Sequence, residues 1–491
     1  MNGTEKSDSL VVPATPTNKA VQAAAELVEG RSGTKGKMEL QSTVRTQSRA
    51  AVSQAQNRLR EAVKRNNKEK LTALLHHITV DSLRAAFKAL KRDAAPGVDA
   101  VTWDAYAEEL EECLHDLHLR VHAGTYRALP SRRVYIPKAD GKQRPLGIAA
   151  IEDKIAQAAV VAILTPIYEA EFLGFSYGFR PGRSQHDALD ALGYVIKGRY
   201  IWWILDADIQ RFFDTISHGW LIQFLEHRIG DRRIIRLIQK WLKAGVLEDG
   251  MALDTVEGTP QGSVISPLLA NIYLHYVYDL WVHAWRKRHA KGHMVVVRYA
   301  DDSVVGFQHH QEAVAFLDGL KKRLEKFALR LHPEKTRLIE FGRFATERRA
   351  RRGDGKPETF DFLGFTHICS TKGNGGFQLM RKTQRKRRSN FIHRIGKELG
   401  QRRHEPVDVQ GRWLGSVLRG YYAYFSVPTN LSTVRNVRHH IKVRWYLSLS
   451  RRSQRKRLTW RRMNVIAAKY LPIASVLHPW PEQRFLVTHS R

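Results

Sequence analysis

Cysteine is nearly absent from this chain, since Cys113 and Cys369 are the only two among 491 residues. So few cysteines exclude a disulfide framework and a cysteine-rich zinc module, and they are typical of a reducing compartment. Long apolar runs are missing too, because no stretch approaches the roughly 20 residues that a membrane-spanning helix needs. The N-terminal MNGTEKSDSL lacks the basic and then apolar order of a signal peptide. The sequence therefore predicts a protein with no membrane-embedded part.

Acidic residues are scarce relative to basic ones. The chain has 48 Asp and Glu against 81 Lys and Arg, which leaves a formal net charge of +33. A polyanionic partner is the usual reason for such an excess, with nucleic acid as the first candidate and an anionic membrane surface as the second. The runs 381–394 and 451–462 each hold seven Lys or Arg and no acid. Between them lie Trp413, Tyr421 and Trp445, which we expect mainly in a hydrophobic core although aromatic rings can also stack on bases.

The order of strand and helix patterns predicts an α+β fold, because the two alternate irregularly. A length of 491 residues corresponds to roughly three domains. Residues 1–50 are polar and poor in aromatics, which predicts a disordered tail. A β-hairpin is predicted over 132–148, with its turn near 139–141. Helical patterns cover 51–91, 104–120, 151–172, 217–243 and 311–328.

Two adjacent carboxylates, Asp301 and Asp302, lie in RYADDSVVGF (298–307), which otherwise reads as two buried strands. Two like charges are costly there unless something cationic neutralises them. In LDADIQRFFD, Asp206 and Asp208 share one strand face because side chains alternate. If that strand lies beside the hairpin, Asp208 converges with Asp301 and Asp302.

Carboxylates without nearby His or Cys favour Mg²⁺ or Mn²⁺. Two such ions stabilise the attacking and leaving oxygens of an in-line phosphoryl displacement. Metal and substrate phosphate, rather than Lys or Arg, are therefore the predicted neutralisers of these aspartates. Salt-bridged or solvated aspartates at strand ends are the alternative.

The chain resembles the intron-encoded proteins of bacterial group II introns, which combine reverse transcriptase and maturase. The resemblance covers about residues 60 to 480. It departs from the family pattern at Ala149, Lys154, Ala170 and Ser303, none of which is a proposed metal ligand. The motifs that carry it occur in this order: RRVYIPKADGKQRPLGI, FSYGFRPGRSQHDAL, DADIQRFF, GTPQGSVISPLLANIYL, RYADD, LHPEKT, FDFLGF and RGYYAYF.

The resemblance implies a two-metal site. Asp208 and Asp301 would bind two Mg²⁺ ions, with Mn²⁺ as a substitute, and Ile209 would add its backbone carbonyl. Asp302 would be a weaker ligand or an orienting group, and Asp206 would be structural.

The resemblance also implies a nucleotide-binding site. Phe213 corresponds to an aromatic steric gate that excludes the ribose 2′-hydroxyl; a plain core Phe is the alternative. Lys138 and Arg144, on opposite arms of the 132–148 hairpin, would fold over the triphosphate, with a solvated basic hairpin as the alternative. Gln261 and Gly262 would lie beside the templating base pair, where Gly permits close approach of the backbone to nucleic acid.

Further roles follow by the same resemblance. Lys335 would protonate the leaving pyrophosphate. Tyr177, Arg180 and Arg183 would contact the template or frame the site. The predicted primer grip consists of Phe362, Leu363, Gly364 and Phe365.

The implied architecture is a right-hand polymerase followed by an α-helical thumb and maturase domain. Its parts are the tail 1–50, fingers 51–195, palm 196–375, thumb and maturase with a basic DNA-binding extension 376–480, and C-terminal tail 481–491. The predicted RNA-binding residues are Arg381, Lys382, Arg385, Lys386, Arg387, Arg388, Arg451, Arg452, Arg455, Lys456 and Arg457.

The implied partners are group II intron RNA, an RNA template with a DNA primer, target DNA and dNTPs, with no membrane. A homodimer is one possible assembly, and the implied location is the bacterial cytoplasm, at the nucleoid. Many relatives end in an HNH nuclease with paired CxxC motifs, which this sequence lacks. We therefore expect no second-strand cleavage and a primer from another source, such as a nascent strand at a replication fork.

Three other functions stay open. One is an RNA-binding maturase with little or no polymerase activity, although all three aspartates are present. Another is a reverse transcriptase of a different lineage, against which the long basic C-terminal region argues. An RNA-dependent RNA polymerase is disfavoured by Phe213.

Overall fold

The computed structural model of the protein describes residues 61, 69–137, 143–198, 200–248, 251–253, 257–259, 262–452 and 458–483. The predicted tail 1–50 and the hairpin turn lie outside these residues. So do Lys138, Gln261, Arg455, Lys456 and Arg457, together with most of the predicted C-terminal tail. Helix and strand are mixed in the described part of the chain, which confirms the α+β class.

The helices follow the predicted segments with shifted boundaries. Short 3₁₀ turns occupy Leu75–His77 and Pro428–Asn430, and one π-helical turn occupies His275–Asp279. In chain order the α-helices are α1 (Val80–Ala89), α2 (Trp103–Glu108), α3 (Leu110–Ala123), α4 (Ile151–Glu169), α5 (Gln185–Gly198), α6 (Phe212–Thr215), α7 (His218–Arg228), α8 (Arg232–Lys243), α9 (Ser266–Leu274), α10 (Leu280–His289), α11 (His310–Lys326), α12 (Ala345–Arg351), α13 (Arg385–Gln401), α14 (Val407–Phe425), α15 (Leu431–Ser450) and α16 (Trp460–Tyr470).

The described strands form three sheets, with orders β2-β1-β4-β5, β6-β7-β3-β8 and β11-β10-β9. β1 and β2 are the arms of the predicted hairpin, so that prediction is confirmed. The strands are β1 (Ser131–Pro137), β2 (Gln143–Ile148), β3 (Trp203–Asp208), β4 (Val246–Glu248), β5 (Met251–Leu253), β6 (Met294–Tyr299), β7 (Asp302–Phe307), β8 (Arg337–Glu340), β9 (Phe360–Phe362), β10 (Phe365–Thr371) and β11 (Phe377–Thr383).

The sheet β6-β7-β3-β8 is antiparallel throughout and lies between two hydrophobic clusters. Because strand side chains alternate, Val296 and Val305 face the cluster shared with helices α4, α7 and α9. Val297 and Val304 face the cluster shared with α5 and the β9–β11 sheet. Burial on both faces explains the nearly continuous apolar sequence of β6 and β7.

A third hydrophobic cluster holds the C-terminal helices α13 to α16 together. Trp445 is completely buried there, and its indole Nε1 donates to the side-chain oxygen of Gln410 at 2.8 Å. Tyr421 is buried as well, while Trp413 packs at the edge of the cluster beneath the guanidinium of Arg402. The expectation that these aromatics lie mainly in the core is confirmed.

Cys113 and Cys369 both carry free thiols, as expected for a chain without a disulfide framework. Among the residues that the structure describes, no helix combines the length and apolarity needed to cross a membrane.

Candidate active site

The predicted convergence of carboxylates is present at one end of the sheet. β3 pairs with β7 so that Asp208 lies directly opposite Asp302, and the 300–301 turn between β6 and β7 carries Asp301. Opposite residues in an antiparallel pair share a face, so the side chains of Asp208 and Asp302 lie on the same side of the sheet. Asp206, two residues before Asp208, shares that face.

The carboxylates disfavour each other's ionisation. Burial raises the pKa of Asp301, and the neighbouring Asp208 raises it further. Burial also raises the pKa of Asp302 well above its ordinary value, with added repulsion from Asp206, Asp301 and Asp208. For Asp206, burial and then the charge of Asp208 raise the pKa to about 7, against the opposing effect of Arg337. A cation at this end of the sheet would relieve these repulsions.

One protein cation already contacts the cluster. The ammonium Nζ of Lys335 lies 2.7 Å from Oδ2 of Asp208. The segment before Lys335 is fixed to the end of β3, because the amide of His332 donates to the carbonyl of Asp208 at 2.8 Å and that of Gln210 donates to Arg330 at 2.8 Å. The expectation that no Lys or Arg neutralises these aspartates is therefore wrong for Asp208.

The donor set suits a hard divalent cation. It consists of carboxylate oxygens. The β-bridge between Ile209 and Leu331 is made by the carbonyl of Asp208 and the amide of Gln210, so this bridge does not use the carbonyl of Ile209. Within the described residues, no group of three or more His, Cys, Asp or Glu side chains is arranged to hold a metal ion. The ammonium of Lys335 contacts Asp208 instead, so a metal ion bound to this carboxylate would have to displace it.

Phe213 lies close to the end of β3, in the short helix α6. Its neighbour Phe212 is buried, whereas Phe213 is partly exposed and packs edge-on against Phe212 with ring centroids 5.4 Å apart. The backbone carbonyl of Phe213 accepts a hydrogen bond from the amide of Thr259 at 2.8 Å. This bond fixes the backbone of Phe213 against the 257–259 segment.

The hairpin β1–β2 carries Arg144 near the site and packs against Gly262. Arg144 is exposed on β2, and its charge acts on Asp301. Gly262 has a φ of +111°, and a Cβ at this position would lie only 2.8 Å from the carbonyl oxygen of Gly147 on β2. One close approach that Gly262 permits is therefore to the backbone of β2, and its place beside a templating base pair stays a prediction.

The SYGFRPGRS segment pairs with the end of β6, because Ser176 forms a bridge with Arg298 and the amide of Tyr177 donates to the carbonyl of Arg298 at 2.8 Å. Tyr177 and Arg180 are buried, and the Arg180 guanidinium pairs with Glu169 at 2.9 Å. Arg183 donates to the carbonyl of Ser176 at 3.2 Å. Burial keeps Tyr177 and Arg180 away from a template, whereas the intervening Phe179 is 50% exposed.

The predicted primer grip forms the tight turn between β9 and β10. Phe362 and Phe365 are buried in the cluster behind the sheet, so their side chains support the turn and cannot contact a primer, which corrects that prediction for these two. Leu363 and Gly364 form the turn itself, with φ of 46° and 82°. The hydroxyl of Tyr424 in α14 donates to the carbonyl of Leu363 at 2.7 Å.

Comparison with known proteins gives one family and a consistent set of relatives. A family model described as reverse transcriptase (RNA-dependent DNA polymerase) matches residues 136–367. Protein YkfC of Escherichia coli is 36% identical over 284 residues, which are 50% of this chain and 72% of YkfC. The group II intron-encoded protein LtrA of Lactococcus lactis is 43% identical over 187 residues, 38% of this chain and 30% of LtrA.

The chain belongs to the group II intron reverse transcriptase/maturase family. Nuclear intron maturase 2 of Arabidopsis thaliana is similar over a shorter stretch, with 34% identity across 103 residues that make up 20% of this chain and 14% of the maturase. The matched region thus covers well under two thirds of LtrA and of this plant maturase.

The basic residues of this reverse transcriptase/maturase chain differ in exposure. Arg381 is only 3% exposed, and its Nη1 lies 3.0 Å from Oδ1 of the buried Asp190. It is therefore a core ion pair, which corrects its assignment to RNA binding. Lys382 donates to the hydroxyl of Ser432 at 2.8 Å, and Arg452 donates to the carbonyl of Glu405. The members of the predicted set that the structure leaves exposed are Arg385, Lys386, Arg387 and Arg451, while Arg388 is partly buried.

A buried network behind the RYADD turn was missed by the sequence analysis. Arg298 pairs with Asp279, Asn271 and Ser176, none of which was singled out. The sequence does contain a pattern that indicates this pair. Arg298 in VVVRYA and Asp279 in YVYDLWV are isolated, opposite charges in apolar surroundings. Buried charges of opposite sign usually pair, so such residues are candidates for one another.

Proposed function

We propose that this protein is an RNA-directed DNA polymerase that also binds its group II intron RNA and assists splicing. The register between β3 and β7 carries this proposal, because it brings Asp208 and Asp302 opposite each other with Asp301 in the adjoining turn. In this proposal residues 51–195 are fingers, 196–375 are the palm, and 376–480 are a thumb and maturase domain. The antiparallel β6-β7-β3-β8 sheet would be the floor of the palm.

Asp208 and Asp301 would hold two Mg²⁺ ions, with the carbonyl of Ile209 as a further ligand and Asp302 as an orienting neighbour. When bound, the ions would activate the primer 3′-hydroxyl and stabilise the leaving pyrophosphate of the dNTP. Arg144 would bind the triphosphate through its planar fork. Phe213 would pack beneath the sugar and exclude the ribose 2′-hydroxyl.

Lys335 would have two successive partners. In the protein alone its ammonium contacts Asp208. Metal binding to Asp208 would release this ammonium, which is exposed and can turn toward the nucleotide. A proton from Nζ of Lys335 could then neutralise the pyrophosphate oxygen that leaves the α-phosphorus.

The basic C-terminal helices would bind structured intron RNA, and their extension would bind target DNA. Arg385, Lys386 and Arg387 are three consecutive exposed cations in the first turn of α13. Target-primed reverse transcription in the bacterial cytoplasm, at the nucleoid, would complete intron mobility. A maturase without polymerase activity would share the RNA-binding surface, so synthesis itself has to be tested.

Primer extension tests the proposal. The purified chain is incubated with poly-A template, oligo-dT primer, dTTP and Mg²⁺, and we expect extended primer that disappears when EDTA removes the metal. A folded preparation that binds RNA but extends no primer with either Mg²⁺ or Mn²⁺ would contradict the polymerase and leave the maturase.

RNA binding should weaken steeply with salt, because phosphate neutralisation releases counterions. With about six to ten phosphate contacts, affinity should fall roughly 10³- to 10⁵-fold between about 50 and 200 mM salt. Fluorescence anisotropy with labelled intron RNA measures the slope of log K against log salt. A triple R385Q/K386Q/R387Q variant should reduce that slope by about two to three.

The matched control replaces Lys287, Arg288 and Lys291 with Gln, since these cations are equally exposed but lie outside the C-terminal helices. This control should keep the slope of the unmodified protein. A salt response that is flat, or that changes equally in both triple variants, would contradict an electrostatic clamp on the C-terminal helices.

A further inference from the structure

The charges of Arg298 and Asp279 are among the most deeply buried in the described part of the chain, with 1% and 0% of their side chains exposed. Nε of Arg298 donates to Oδ1 of Asp279 at 2.7 Å, and Nη2 donates to Oδ2 at 2.6 Å. The pair is thus bidentate, the geometry in which a buried ion pair best offsets the loss of hydration.

Arg298 has three further acceptors. Nη1 donates to the side-chain oxygen of Asn271 at 3.1 Å and to the backbone carbonyl of Ala300 at 2.8 Å. Nη2 donates to the hydroxyl of Ser176 at 2.6 Å. A guanidinium has five N–H donors, so each donor of Arg298 has an acceptor. Charge neutralisation alone would need only Asp279. Of the remaining bonds, the one to Ala300 connects Arg298 to the RYADD turn, and the others connect it to Asn271 on α9 and to Ser176.

Ala300 is the residue on which this turn depends. Its φ is 56°, a left-handed conformation that is unfavourable for a residue with a Cβ, and Asp301 follows it directly. The hydrogen bond from Arg298 to the Ala300 carbonyl holds this conformation in place. If the bond is lost, the turn can relax and carry Asp301 away from its position beside Asp208.

Gly178 supports the same residue from the other side. A Cβ on Gly178 would lie 2.3 Å from the backbone nitrogen of Ala300, so the two backbones are in direct contact. Nδ2 of Asn271 donates to the carbonyl of Gly178 at 2.7 Å, while Oδ1 of Asn271 accepts from Arg298. Asn271 therefore connects Arg298 to the segment that packs on Ala300.

Asp279 and Tyr278 end the π-helical turn His275–Asp279, which contacts both β6 and β7. Asp279 holds Arg298 on β6, and the hydroxyl of Tyr278 donates to the hydroxyl of Ser303 on β7 at 3.2 Å. Ser303 directly follows Asp302. Single π-helical turns often occur at functional sites, where the extra residue re-aims its neighbours.

Building on the proposed polymerase, we propose that Arg298 is a positioning residue that, through the carbonyl of Ala300, holds the turn from which Asp301 reaches the metal ions. Asp279, Asn271 and the π-helical turn form the support that keeps Arg298 in place. With 1% of its side chain exposed, Arg298 would act through the turn rather than by touching substrate or metal.

The test compares Arg298→Lys with Arg381→Lys. Arg381 on β11 and Asp190 on α5 form a second deeply buried ion pair, at 3.0 Å. Lysine keeps the charge at both positions but cannot supply the fork, so both variants should lose some thermal stability. Only Arg298→Lys should lower kcat for single-nucleotide addition, by about 10- to 100-fold, as when residues that orient metal ligands are altered. Its KM for primer–template should stay within about twofold, because ground-state binding is unaffected.

A binding measurement gives a readout that does not depend on synthesis. Electron paramagnetic resonance of free Mn²⁺ should show that Arg298→Lys weakens Mn²⁺ binding about tenfold or more, whereas Arg381→Lys does not. A double R298M/D279L variant removes both buried charges together. It should therefore be more thermally stable than R298M alone, yet as defective in kcat and Mn²⁺ affinity.

The proposal is overturned if Arg298→Lys binds Mn²⁺ like the unmodified protein, or if Arg381→Lys loses Mn²⁺ affinity and kcat equally. Recovery of kcat in the double variant along with its stability would also overturn it. Absence of DNA synthesis by the unmodified protein would instead contradict the polymerase, and the Mn²⁺ comparison would still decide the role of Arg298.

Discussion

Asp301→Asn is expected to reduce DNA synthesis about 1,000-fold, because metal ions supply several kcal/mol of transition-state stabilisation and each 1.4 kcal/mol is about tenfold in rate. Asparagine has nearly the same shape but no charge to hold Mg²⁺. Burial and repulsion from Asp208 disfavour the charged form of Asp301, so removing that charge should leave thermal stability unchanged or raise it. Single-turnover nucleotide addition and thermal unfolding of the same preparation measure the two effects.

Asp206→Asn is the matched control for that experiment. Asp206 lies on the same strand as Asp208, and burial raises its pKa to about 7, but the resemblance assigns it no metal. It should therefore keep most of the activity. Equal inactivity of both variants would show that any charge change at this end of the sheet is harmful, and an active Asp301→Asn would contradict the ligand assignment.

Phe213→Ala should admit ribonucleotides, because shortening the side chain opens space for the 2′-hydroxyl. We expect the preference for dTTP over UTP, as a ratio of kcat/KM values, to fall about 100-fold, the order expected when a pocket no longer rejects one added hydroxyl. Activity with dTTP should fall much less, because the backbone bond from Thr259 does not depend on the ring of Phe213.

The adjacent Phe212 provides the comparison for this change. It is buried, so Phe212→Leu should lower stability while leaving the nucleotide preference unchanged. If Phe213→Ala keeps the original preference, Phe213 is a plain core residue and the steric-gate assignment fails. A shift of similar size in Phe212→Leu would mean that local disorder, not ring size, sets the preference.

Local patterns predicted the parts of the site that depend on strand periodicity. Alternation placed Asp206 and Asp208 on one face, and the apolar runs around Asp301 predicted the β6–β7 hairpin that the structure contains. The arms of the 132–148 hairpin were predicted for the same reason. Each of these features depends on fewer than about 20 consecutive residues, so a local sequence pattern is enough to predict it.

Pairing between distant residues was not predictable in that way. Lys335 and Asp208 are separated by 127 positions, and Arg381 and Asp190 by 191. The basic run that contains Arg381 gives no sign that this one guanidinium turns inward, because composition does not say which charges find partners. The Arg298 network was missed for the same reason, since its acceptors come from three separate segments.

The order of the central sheet has a consequence for how the protein is made. β3 lies between β7 and β8, yet it is the first of the four strands to leave the ribosome. The backbone N–H and C=O groups of β3 stay unpaired until β7 and β8 are synthesised. Such long-range pairing slows folding and leaves a strand edge exposed to other chains. Asp208 contacts Lys335, which lies just before β8, so a nascent chain cannot complete this contact until the segment leading into that last strand has emerged.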